Sequence, residues 1–147
     1  MTVSTRLGMG IMAGIMASVV MTAAVIAVTA LGFLSIQWFP WVGAVFGSSG
    51  IVASLAEIGV AWFFALGIVA GLIFAFIFRQ HTVAQGLAFG GIAWFLVVLY
   101  LVFYTAPQLS GTLGTLSIAS SIELLVPLAF CFGLWGLAMG YVGKKYV

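Results

Sequence analysis

Apolar residues run through this chain in long stretches, and the few polar positions fall between them. A helix needs about 20 predominantly apolar residues to cross roughly 30 Å of hydrocarbon. Four stretches reach that length, near 7–34, 55–78, 83–105 and 121–143. The breaks between them are rich in turn formers. Gln37-Trp38-Phe39-Pro40-Trp41 and Gly47-Ser48-Ser49-Gly50 separate the first pair, Arg79-Gln80-His81-Thr82 the second and third, and Ala106-Pro107-Gln108 through Ser117 the last pair. The region 36–50 reads as an interfacial loop, its Gln37–Gly47 stretch a short amphipathic segment with Trp and Phe side chains directed down. Three helix starts carry the S/T-x-x-E/Q capping box: Ser54 to Glu57, Thr82 to Gln85 and Ser120 to Glu123. There a hydroxyl and a carboxylate or amide satisfy each other's orphan backbone N–H groups. Near hydrocarbon such orphans are especially costly.

The two halves of the pattern resemble each other. Sliding the second stretch by 66 positions onto the fourth pairs Ala53 with Ala119, Ser54 with Ser120, Glu57 with Glu123, Gly67 with Gly133 and Arg79 with Lys145. A shift of 76 brings the first stretch onto the third, pairing Gly10 with Gly86, Gly14 with Gly90 and Ala17 with Ala93. This predicts an all-α integral membrane fold: a single membrane domain over 1–147, a four-transmembrane-helix bundle built from two parallel hairpin repeats.

Composition agrees: 65% of residues are AVILMFWYC and 4% are charged, against about 25% charged in a soluble domain. A water-facing surface cannot be made from this chain. Its four cations, Arg6, Arg79, Lys144 and Lys145, all fall on one side if every stretch crosses. The positive-inside rule then places both termini and the short loop in the cytoplasm of a multi-pass cell (inner) membrane protein. Four scattered cations make no stripe for nucleic acid. The first stretch runs well past the length of a signal-peptide core, so it is read as a span.

Small residues recur at helical spacing. Gly10 and Gly14 on the first span, Gly67 and Gly71 on the second, Gly86 and Gly90 on the third, and Gly133, Gly136 and Gly140 on the fourth are expected to serve helix packing. Glu57 and Glu123 are the candidate contacts for an ion or a partner, because an ionisable residue in a span is a functional hypothesis. Glu57 lies 21 residues before Phe78 and Glu123 21 before Lys144, roughly 31 Å at 1.5 Å per residue. That places both carboxylates near the outer interface, where capping and the positive end of the helix dipole also account for them. Pro127 opposes the carbonyl of Glu123 and is expected to kink the fourth span. His81 is read as a solvated or headgroup-facing loop residue, and Cys131 as an inert buried thiol. Trp38, Trp41, Tyr100 and Tyr104 are assigned to the outer aromatic belt, Tyr141 and Tyr146 to the inner one, and Trp62, Trp94 and Trp135 to greater depth.

No Walker loop, H-E-x-x-H, C-x-x-C-H or G-x-S-x-G occurs, and the chain contains no Asp. No catalytic residue, metal ligand or cofactor is therefore expected, and the chain is not read as an enzyme. The glycine spacings Gly10-x-x-x-Gly14, Gly67-x-x-x-Gly71-x-x-Phe74 and Gly86-x-x-x-Gly90, with the Gly-rich fourth span, resemble the YagU-like group of small prokaryotic four-helix membrane proteins. The resemblance implies a fold and no activity. That group often carries a His four residues before the Gly pair in its even spans, where this chain has Phe63 and Ala129. The function expected is that of a non-catalytic accessory subunit in a larger membrane complex, respiratory or otherwise redox. Its partners would be larger membrane-protein subunits and lipid, met through the small-residue faces. Homo-oligomerisation through the same faces competes with this reading, and a small ion or solute transporter using Glu57 and Glu123 is the alternative.

Overall fold

In the computed structural model, residues 2–34, 38–46, 52–78, 80–100 and 125–146 are described. Among them are five helices and no strand: α1 (Val3–Ala30), α2 (Trp38–Phe46), α3 (Val52–Ile77), α4 (Val83–Tyr100) and α5 (Leu125–Lys145). Four of the five, all but α2, are long and apolar enough to cross a membrane.

The helix ends follow local chemistry. Thr2 caps α1 by accepting the backbone N–H of Thr5, so the helix begins before the apolar stretch does. At the other end Gly32 takes a φ of +77°. Its N–H donates to the Thr29 carbonyl, and that of Phe33 to the Val28 carbonyl. This is the Schellman arrangement, with glycine in the left-handed position that ends the helix. The first span therefore stops four residues before the predicted boundary at 34. Thr82 and Gln85 form the predicted capping box at α4: the Thr82 N–H donates to Gln85 Oε1, and the Gln85 N–H to Thr82 Oγ1. α3 begins at Val52, so Ser54 lies inside the helix rather than at its predicted cap; the box at Ser120 to Glu123 and the predicted end of the third span at 101–105 lie outside the described residues.

Each long helix is apolar on all sides, so an amphipathic face cannot select its neighbours; the small residues do. α1 packs on α3 and on α5, α4 packs on α5, and α2 packs on α3. Where α1 crosses α3, a Cβ added to Gly14 would lie 2.7 Å from the Cα of Ile68, and one on Gly71 2.9 Å from the Cα of Gly14. Where α4 crosses α5, a Cβ on Gly86 would lie 2.7 Å from the Cα of Gly140, and one on Gly140 2.7 Å from the Cα of Val83. Real Cβ atoms do not approach backbone so closely. Glycine therefore permits both crossings, and close van der Waals packing holds them. Gly59 does the same for α2, since a Cβ there would lie 2.7 Å from the Phe39 carbonyl carbon.

The two crossings are equivalent, with one correction to the predicted register. Gly71 faces Gly10 and Gly14, and Gly136 faces Gly86 and Gly90 in the same way. The structural offset between α3 and α5 is therefore 65, from Gly71 to Gly136, rather than 66. One residue turns an α-helix by about 100°. Gly133, placed among the packing glycines by its spacing, is rotated out of the crossing: a Cβ there would meet nothing within 4 Å.

Candidate functional site

If the hairpins α1–α3 and α4–α5 were fully symmetric, the α1–α5 seam between them would be matched by a seam between α4 and α3. It is not. The backbones of α3 and α4 stay apart, their side chains meeting where Phe89 packs on Phe74 and Phe78, and an apolar cleft of about 530 Å³ opens along the rest of their gap. Phe63, Gly67, Ala70 and Ile73 form its α3 wall, Leu96, Val97 and Tyr100 its α4 wall, and Trp135 and Phe132 its floor. Trp38 and Val42 of α2 close one end. The volume lies within the range of about 300–1,000 Å³ common to small-molecule sites. A site of that kind also needs a few placed polar groups, and here the lining is aromatic and aliphatic, its side-chain polar functions being the Tyr100 hydroxyl and the indole N–H groups of Trp38 and Trp135.

The floor belongs to a run of ring contacts that threads the bundle. Trp38 meets Phe63 edge-on at 6.4 Å and Phe132 at 6.2 Å, Phe132 meets Trp135 at 6.0 Å, and Trp135 stacks on Phe89 at 5.8 Å with an interplanar angle of 18°. Phe89 meets Phe74 at 5.7 Å, and Phe74 meets His81 at 5.7 Å. Aromatic pairs add about 0.5–1.5 kcal/mol each beyond area burial. The run thus stiffens the cleft's inner wall. Trp38, assigned to the outer belt, is instead only 4% exposed. The short α2 turns it inward onto Phe63 and Phe132 because α2 lies flush on Gly59.

At the opposite end of the run, His81 is fully buried rather than solvated. Its backbone φ of +49° folds the ring back over the last turn of α3, where Nε2 lies 3.1 Å from the Ala75 carbonyl oxygen. A carbonyl only accepts, so Nε2 carries the proton of that bond. Helix ends leave their last four carbonyls without intrahelical partners, and His81 answers one of them. Thr82 then caps the next helix, so one short connection ends α3 and starts α4. The room for the ring comes from Gly143 of α5, where a Cβ would lie 3.0 Å from the His81 Cβ and 3.2 Å from Phe74 Cε1.

The remaining candidates are dispersed. Glu57 is exposed on α3, and Glu123 lies outside the described residues, so no carboxylate pair can be described. Pro127 falls in the first described turn of α5. Beside it the Leu125 carbonyl accepts a 3.1 Å hydrogen bond from Trp94 Nε1. Trp62 is 42% exposed and Trp135 5%, and Cys131 is buried. Among the described residues no three His, Cys, Asp or Glu side chains gather into a metal-sized cluster. The cleft left no mark in the sequence, because its lining positions are no more apolar than their neighbours. Only the one-sided partnering of α3 and α4 reveals it. No protein-family model matches the chain, and neither the curated proteins nor the solved structures contain a significant match to it.

Proposed function

We propose that this chain is a non-catalytic subunit of a larger membrane assembly. In this reading it crosses the membrane four times as two parallel hairpins, with both termini and the Arg79–Thr82 connection on the cytoplasmic side. An apolar segment of a partner subunit occupies the cleft between α3 and α4. The cleft itself carries the reading. It is a seam that the hairpin symmetry would close and the chain leaves open, lined by side chains suited to packing and not to chemistry.

The expected mode of association through small-residue faces is revised. The glycines of both crossings already face each other inside the hairpins, so of the glycines expected to serve association only Gly133 is open to a partner or a second copy. What the outside offers is large side chains, among them Val69 at 52% and Leu96 at 59% exposure on the rims of the cleft. The transporter alternative needs a paired site at Glu57 and Glu123, and of these only Glu57 is placed, exposed and apart from the cleft. The test is a photo-crosslinking amino acid at Val69 or Leu96 in cells, followed by purification in mild detergent and mass spectrometry. Adducts from both positions to the same membrane subunit, recovered in stoichiometric amount, are expected. Adducts only to a second copy of the chain, or only to lipid, would overturn the proposal.

A further inference from the structure

On the face away from the cleft, α1, α5 and the start of α4 border a second apolar groove of about 410 Å³. Met16 and Val20 of α1, Leu134, Ala138 and Tyr141 of α5 and Val83 of α4 line it. The groove has a direction. Its lining on α5 advances through 134, 137, 138, 141 and 142, the i, i+3, i+4, i+7, i+8 pattern of one helix face. The next positions on those rows are Lys144 and Lys145, both exposed. Arg6 of α1 lies toward the same end of the bundle, because Gly10 and Gly71 face each other and α3 ends at Ile77. Glu57, the one acid among the described residues, lies 20 residues before that end of α3, roughly 30 Å away along the helix. The groove therefore runs from an apolar middle to a cationic mouth.

We propose that this groove seats one anionic phospholipid, with an acyl chain along Met16, Val20, Leu134 and Ala138 and its phosphate at Lys144 and Lys145. Charge complementarity selects the headgroup class. A zwitterionic lipid offers the same tail and phosphate but adds a cationic ammonium group that the lysines repel. Tyr141 sits between tail and headgroup, the level its amphipathic ring prefers. The inference depends on membrane insertion but not on the subunit reading, and would stand if no partner protein existed.

The test uses the purified full chain in nanodiscs containing equal phosphatidylglycerol and phosphatidylcholine, released into the gas phase for native mass spectrometry. One phosphatidylglycerol per chain should be retained in preference to phosphatidylcholine. K144Q should lower that preference roughly five-fold, the equivalent of about 1 kcal/mol per basic residue at an anionic surface. K144Q/K145Q should abolish it. Ala138→Phe, which obstructs the groove, should reduce retention without touching a charge. Because that variant could misfold, a diazirine-tailed phosphatidylglycerol is also photoactivated on the wild type, and its adducts should concentrate within Leu134–Val142. Equal retention of both lipids, an undiminished preference in K144Q/K145Q, or adducts spread evenly onto Val69 and Ile73 would each overturn the proposal.

Discussion

Replacing His81 with Ala removes the donor that ends α3 and leaves the Ala75 carbonyl buried without it. A buried polar group stripped of its partner costs about 1–3 kcal/mol. The alanine would also keep the φ of +49°, a region that costs residues with a Cβ. His81→Gly relieves the backbone but not the carbonyl, so its loss of stability should be smaller than that of His81→Ala. Thermal unfolding in detergent, followed by circular dichroism, orders the three proteins. A solvated loop histidine would make all three equal. The sequence context of His81, with Arg79 and Gln80 before it, resembles a solvated loop. What decides otherwise is a glycine 62 positions later, Gly143, which leaves room for the ring.

Among helices that are apolar all round, the arrangement is chosen by where backbones can come close. Gly14→Ala should therefore cost about 1–3 kcal/mol, the usual penalty for overpacking, because its Cβ would lie 2.7 Å from Ile68 Cα and backbone must move. Gly133→Ala should be neutral or stabilise by up to about 1 kcal/mol, since a Cβ there meets nothing within 4 Å and alanine is the better helix former. Reversible unfolding in mixed micelles, compared between the two variants, measures the contrast. Equal effects would mean that the crossings are not set by these glycines. The box at Thr82 and Gln85 was legible as local sequence, whereas the stop at Gly32 was not, because the apolar run continues past it and hides the boundary. The faces through which α4 and α5 meet were not legible, because Gly133, Gly136 and Gly140 recur at steps of three and four and differ only in the direction they face.

The four cations fall on a single side of the bundle if all four long helices cross, so the orientation proposed above has a direct check. Cysteines introduced at Thr2 and Tyr146 should react with an impermeant thiol reagent only after the membrane is opened. One at Ser48 should react in intact cells. The native Cys131 is fully buried and supplies a low background. Labelling of either terminus from outside would reverse the assignment. At this scale the molecule departs from its own repeat: two hairpins built around equivalent crossings meet through α1 and α5 and leave α3 and α4 apart.

Length, hydropathy and punctuation along the chain determined that there would be four long apolar helices, where α4 begins, which pairs would return as hairpins, and at which helix ends the cations would gather. These are properties of segments about 20 residues long and of their ends, and each segment contains the information for its own case. Tertiary structure decided which glycine faces which backbone, that His81 turns inward over α3, that Trp38 leaves the belt for the interior, and that a cleft lies on one face and a lysine-tipped groove on another. Those outcomes depend on the rotation of each helix about its axis, where one residue is worth about 100°. In a chain whose faces are almost uniformly apolar, no hydrophobic pattern records that angle; only the fit of one backbone against another sets it.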